Sequence, residues 1–162
     1  MTANEYNSCV NQYSDGVYRF VLKHIKDTDR TSDVVQDAFL KMWEKVETIS
    51  FDTAKSYLFT AAHHTLVDEV RKGQVHQRYV DAQPLQTFST QNMYSDVYEV
   101  LNKAMELLPA DQKSVIMLRD YEGYSYDEIA QITGLNESQV KVYIFRARTF
   151  LKNYIVQIEN LI

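Results

Sequence analysis

Apolar residues recur at three- and four-residue steps through most of the chain, the period of an α-helix and not of a strand. In the first half, Tyr6, Val10, Tyr13, Val17, Phe20, Val21 and His24 form one such stripe. After the polar break Asp27-Thr28-Asp29, which has N-cap chemistry, Val34, Val35, Ala38, Phe39, Met42, Trp43 and Val46 form a second. A third runs from Ala54 through Tyr57, Leu58, Ala61, Ala62, Leu66 and Val70, with Gly73 as its expected stop. Residues 81–96, DAQPLQTFSTQNMYSD, lose the period and read as a linker. The period returns at Val97, and Pro109 closes that helix. Another helix covers Gln112 to Tyr121 and ends at Gly123. The expected architecture is therefore all-α, with helical domains over 1–80 and 97–162 joined by the linker.

The last 40 residues carry sharper local signals. Ser125-Tyr126-Asp127-Glu128 is a capping box, in which the Ser hydroxyl and the Glu carboxylate each satisfy a backbone N–H at the helix start. Gly134 permits the left-handed backbone of an abrupt helix end. Asn136 can cap the final helix with Gln139 three residues on, and Leu135 and Val140 can staple it. Val140, Ile144, Ala147 and Leu151 give that helix its buried side, leaving Gln139, Lys141, Val142, Phe145, Arg146 and Thr149 outward. Two helices joined by a tight glycine turn, the second with a cationic outer face, form the pattern of a helix-turn-helix DNA reader. A helical hairpin with a merely solvated charged face is the plainer alternative.

Composition narrows the choice. Of 162 residues only 4 are Gly and 2 Pro, so helix breakers are scarce. A single cysteine, Cys9, excludes an internal disulfide framework and a cysteine zinc cluster within one chain. No apolar run approaches a membrane span and the N-terminus has no secretory pattern, so the expected setting is cytoplasmic. The net charge of −5 argues against a general nucleic-acid binder. It conceals two basic spots, 71–78 (RKGQVHQR) and 136–154, where Lys141, Arg146, Arg148 and Lys152 face Glu137 alone. Small cationic footprints suit short DNA contacts, and an acidic remainder suits a basic protein partner.

Three strings resemble conserved regions of the bacterial extracytoplasmic-function sigma factors. DVVQDAFLKMW resembles their core-polymerase-binding helix, and SYLFTAAHHTLVDEVRKG their promoter-melting segment that reads the −10 element. LLPADQKSVIMLRDYEGYSYDEIAQITGLNESQVKVYIFRARTFL resembles their fourth conserved region. The three occur in order across nearly the whole chain. The resemblance implies a two-domain alternative sigma factor that binds core RNA polymerase and promoter DNA and is held by an anti-sigma factor. It implies no enzyme activity, no cofactor, no metal and no membrane insertion. Asp33, Gln36, Asp37, Phe39 and Leu40 fall where the family grips polymerase, and Trp43 beside them is expected in the core. Lys55, His63, His64, Arg71, Lys72 and Arg78 fall at the −10 segment. There, rings that stack on unpaired bases and cations that hold phosphates are the chemistry strand opening needs. Asp68 is expected to pair internally with a nearby Arg or Lys. Arg119, Tyr126, Gln139, Lys141, Val142, Phe145 and Arg146 fall at the −35 contacts. His64 stands where the family usually has Asn, and Val142-Tyr143 where it often has Ser-Arg, so no promoter sequence carries over.

Rival readings remain at this level. His63, His64, Asp68 and His76 could suggest a helical metal site, but no second helix supplies matching ligands. A stand-alone helix-turn-helix regulator would explain the last 65 residues and leave DVVQDAFLKMW without a role. With a basic spot in each half and a bendable linker, the halves are expected to close on each other or on an inhibitor and hide both DNA-reading surfaces.

Overall fold

The structure, a computed structural model, describes residues 1–77 and 93–161, and the described residues are helical or in short connections, with no strand among them. Helix α1 spans Ala3–Ile25, α2 Thr28–Glu44 and α3 Ala54–Gln77, the last entered through a 3₁₀ turn at Phe51–Thr53. Helix α4 spans Met93–Leu107, α5 Ala110–Ile116, α6 Tyr126–Thr133 and α7 Glu137–Leu161. Helix α5 continues through a π turn at Met117–Tyr121.

Local chemistry starts and stops these helices. Thr2 and Glu5 form a capping box on α1, and the Asp27 carboxylate accepts from the backbone N–H of Asp29 and Arg30 at the start of α2. The expected boxes at Ser125/Glu128 and Asn136/Gln139 both form. Gly134, at φ 78°, ends α6 in the left-handed conformation that an L side chain adopts only at a cost. Two boundaries differ from the sequence pattern. Helix α3 runs past Gly73 to Gln77, because one glycine in a helix costs only about 1 kcal/mol and no proline stands between Gly73 and Gln77 to enforce a stop. Helix α4 starts at Met93, so Met93–Asp96 are helical although they lie in the polar stretch read as linker; the rest of that stretch lies outside the described residues.

Helices α1, α2 and α3 form a three-helix bundle around Phe20, Val21, Met42, Leu58, Phe59 and Leu66, all essentially inaccessible to water. Helices α4 to α7 enclose a second set including Met105, Leu118, Ile129, Ile132, Val140 and Ile144. The two cores meet. Phe59 of α3 takes the Phe20 ring edge-on at 5.6 Å and the Tyr124 ring of the second half edge-on at 5.7 Å. Around this seam run polar contacts between the halves. Arg19 pairs with Glu122 at 3.1 Å, Lys55 donates to the Glu122 carbonyl at 3.2 Å, and Lys113 donates to the Lys23 carbonyl at 3.2 Å. His24 Nε2 lies 3.0 Å from Ser114 Oγ, and Lys23 donates to Asn102. Gly16 matters here: a Cβ on it would stand 3.1 Å from Glu122 Oε2, so its lack of a side chain lets that carboxylate lie against α1.

Truncating a core residue should therefore cost far more than truncating a surface one. Leu58→Ala, at full burial, is expected to lose about 2–5 kcal/mol, and Leu40→Ala, on the outer face of α2, less than about 0.5 kcal/mol. Denaturant unfolding of the two variants checks this; equal losses would contradict the placement of α2.

Candidate polymerase and DNA interfaces

Helix α2 packs Val34, Val35, Ala38 and Met42 inward. Asp33, Gln36 and Leu40 are exposed on its other side, Asp37 is partly buried, and Phe39 is buried. Trp43 departs from its expected place in the core: it is 47% exposed. Trp43 shares the outer face of α2 with Gln36 and Leu40, and there the Tyr6 ring of α1 meets the indole edge-on at 4.9 Å while its hydroxyl donates to the Phe39 carbonyl at 2.9 Å. Leu40, one turn before it, is 55% exposed. Together with Val10, Ser14 and Val35 these residues line a shallow groove of about 480 Å³ between α1 and α2. A half-exposed Trp beside a half-exposed Leu over a groove is an apolar surface of the kind that binds a partner. Asp37 is less free than its neighbours. It accepts from Lys41 at 2.9 Å and from the Thr65 hydroxyl of α3 at 3.5 Å.

The −10 candidates divide into covered and open. Lys55 donates to the Glu122 carbonyl and lies 4.7 Å over the Tyr124 ring, both from the second half. His63 is buried, and its Nδ1 has no hydrogen-bond partner among the described residues. Burial and the neighbouring His64 push its pKa down. His64 and Arg71 are exposed. The side chain of Lys72 and the whole of Arg78 lie outside the described residues. Asp68 is exposed; the carboxylate that pairs internally is the next one, Glu69, which takes the Arg30 guanidinium. His24, on the apolar stripe of α1, is satisfied as expected, by the Phe20 carbonyl at 2.9 Å and by Ser114. Among the described residues no group of three metal-ligating side chains comes together.

In the second half, helix geometry puts Gln139, Val142, Arg146 and Thr149 along one outward line of α7, with Lys141 and Phe145 beside it. Val142 is 43% and Phe145 71% exposed. Tyr126, at the start of α6, lies between two cations: Arg119 at 4.6 Å on the π turn and Lys141 at 5.6 Å on α7. One ring thus gathers two positive charges onto one edge. Arg119 also donates to the Tyr124 carbonyl at 2.8 Å, which ties it into the fold. Arg148 is held by Asp120 and Arg146 lies 5.9 Å over the Tyr143 ring. Gln139 is partly spoken for, since its Oε1 accepts from the Asn136 N–H at 3.1 Å. The halves do close, but the outcome differs from the expected masking of both surfaces: Lys55 and His63 are covered, while the outward face of α7 stays in solvent. Sequence reasoning missed Tyr6, Glu122 and Ser114, because their roles depend on which helix lies against them.

Capping ties this surface to stability. Asn136→Ala should cost about 1 kcal/mol and fray the first turn of α7, where Gln139 and Lys141 sit. Chemical denaturation and amide exchange over 136–141 measure it; unchanged protection there would show that the cap does not hold the turn.

Comparison with known proteins agrees with this division into halves. A family model described as Sigma-70 region 2 matches residues 9–75, and one described as Sigma-70, region 4 matches residues 98–151. The chain is 30% identical over 148 residues to the RNA polymerase sigma factor SigV of Bacillus subtilis, covering 90% of this chain and 87% of that protein. It is 26% identical over 164 residues to the ECF RNA polymerase sigma-E factor of Escherichia coli K12, covering 91% and 85%. Among solved structures, the sigma factor RpoE of Bartonella quintana, in complex with the anti-sigma factor NepR, superposes with a TM-score of 0.77 at 24% identity. That match covers 94% of this chain and 98% of that one.

Proposed function

The chain belongs to the extracytoplasmic-function family of RNA polymerase sigma factors, and we propose that its two halves hold core polymerase through α2 and read the promoter through α3 and α7. The protein is an alternative sigma factor, which directs transcription initiation. The observation that carries the assignment of surfaces is the outward placement of Leu40 and Trp43 over the groove between α1 and α2. A helix that buries five apolar residues and still turns two large ones to water is built to meet a partner.

In this reading the first half binds core polymerase through Leu40, Trp43 and Gln36, with Asp33 and Asp37 as acceptors for a basic segment of the partner. Phe39 supports that face from beneath. Lys55, His63, His64, Arg71, Lys72 and Arg78 serve the −10 element. Arg119, Tyr126 and Lys141 clamp the backbone of the −35 element, and Gln139, Val142, Phe145 and Arg146 face its bases. Val142 and Phe145 suit thymine methyl groups, and Arg146 suits a guanine edge. The partners are core RNA polymerase, promoter DNA and an anti-sigma factor, and the setting is cytoplasmic. No helix among the described residues is long and apolar enough to cross a membrane. No catalytic residue, cofactor or metal enters this account.

The polymerase face is tested by Leu40→Ala/Trp43→Ala. The double variant should keep its thermal midpoint within a few degrees and lose on the order of 2–4 kcal/mol of affinity for core polymerase, since interface aromatics dominate such contacts. Full affinity in a pull-down titration would refute the assignment.

The promoter face is tested by comparing two arginines. Arg146→Ala should cost on the order of 1–3 kcal/mol and relax preference at one base pair. Arg119→Ala should weaken binding to all upstream sequences alike and lower the salt slope by about one unit. A salt titration against single-base promoter mutants separates the two. If Arg146→Ala lost affinity uniformly, base reading would rest on Gln139, Val142 and Phe145 instead.

A further inference from the structure

Between the two halves, beside the aromatic seam, lies a cavity of about 150 Å³ lined in part by His24, His63, Arg71, Asp111 and Ser114. It is mostly apolar, with Leu66 and Val67 on its wall. His24 comes from α1 and His63 from α3, and both face α5 across it. Their surroundings suit neutral imidazoles. The Nδ1–H of His24 donates to the Phe20 carbonyl at 2.9 Å, which leaves Nε2 to accept from the Ser114 hydroxyl at 3.0 Å. Ser114 is buried. His63 is buried too, with Nδ1 unpaired among the described residues.

A proton on either ring would be poorly compensated. Lys23 of α1 and Lys26 at its C-cap stand near Lys113. From α5, the Lys113 amine reaches into the same interface to the Lys23 carbonyl. From α3, His64 is the neighbour of His63 at 6.4 Å between ring centres, and Arg71 lines the cavity. Against these stand Asp111, an exposed carboxylate on the cavity wall, and Glu106 of α4, which pairs with Lys26 at 3.5 Å. The carboxyl end of α1 favours a cation weakly. Cations outnumber carboxylates around the two rings, and the wall between them is apolar. Burial first, then Lys113 and His63, bring the His24 pKa down to about 4 although the residue keeps some exposure through the cavity.

We propose that His24 and His63 form an acid-labile latch between the two halves, so that proton uptake by these rings opens the closed molecule and releases Lys55 and His63. A base whose pKa is lower in the closed than in the open form is protonated more readily once open. Closure is then at full strength above the open-form pKa of about 6.5 and weakens as pH falls from there toward the closed-form value. From His24 alone the ratio of closed to open molecules should fall about tenfold between pH 7.5 and 5.5. The latch goes beyond membership of the sigma factor family, and its test reads molecular size, not transcription.

The experiment is small-angle scattering of the full chain from pH 8 to pH 5, with far-ultraviolet circular dichroism on the same samples. It is run on the natural chain and on Glu122→Ala, which removes the Arg19 ion pair and brings the closed and open forms nearer balance, so that a tenfold change is visible. The expected result is a rise in radius of gyration as pH falls below about 6.5, with helical signal retained. His24→Gln should remove most of the rise, and His24→Gln/His63→Gln all of it, since neutral amides cannot take up the proton. Each single variant is read as well, so a double variant that failed to fold would still leave the two shares measurable. A size independent of pH in the Glu122→Ala background would overturn the latch. So would the same expansion with both histidines replaced, or an expansion that coincided with loss of helix.

Discussion

Phe59 is the residue on which both halves depend. It projects from the second turn of α3, is fully buried, and packs edge-on against Phe20 of its own bundle and Tyr124 of the other half. Two edge-to-face ring contacts at one side chain make a single apolar seam out of what would otherwise be two separate cores. Polar contacts between the halves flank that seam. Arg19, Glu122 and Lys55 lie toward the start of α3, and Lys23, Asn102, His24 and Ser114 lie nearer the end of α1. The Arg19 end of its pair with Glu122 is half-exposed, so water screens it and such contacts contribute little alone. They set the register in which the apolar faces meet.

The seam has a functional consequence, because the surface it occupies is also the surface assigned to promoter opening. In the closed form the Lys55 amine is bonded to the Glu122 carbonyl and lies over Tyr124, so the second half occupies the space from which a phosphate would approach it. His63 cannot stack on a base while it is enclosed against α5. Leu40 and Trp43, on the proposed polymerase face of α2, and Val142 and Phe145, on the outward face of α7, stay exposed. In the proposed assignment the closed chain meets polymerase through Leu40 and Trp43, and DNA replaces the second half against α3 when melting begins.

The second half shows how one aromatic ring can organise charge in an acidic protein. Net charge alone argues against DNA binding, yet Tyr126 draws Arg119 and Lys141 from two other elements to its faces. The π turn at Met117–Tyr121 belongs to this arrangement, as it carries both Arg119 and Asp120, and Asp120 in turn holds Arg148. The field that DNA meets is set by where a few cations are held, not by the total.

The chain's own pattern determined the helices, their caps and the stripes they bury, because a 3.6-residue period and a capping box are local properties that do not depend on what lies across the core. Hence Ser125, Gly134 and Asn136 were legible, as were the inward positions of α7 and the division into two halves. Boundaries were less so: Gly73 did not stop α3, and α4 began inside the polar stretch. Tertiary structure alone decided which apolar residues would be left over. Trp43 falls in the same stripe as Met42 and Phe39, and which edge of that stripe α1 and α3 leave uncovered is settled only when the three helices pack. Likewise nothing in the spacing of Gly16, His24, Lys55, Ser114 and Glu122 announces that they meet. Their contacts span from 67 to about 100 residues of sequence, and such pairings are set by the packing of helix faces, a property no local window contains.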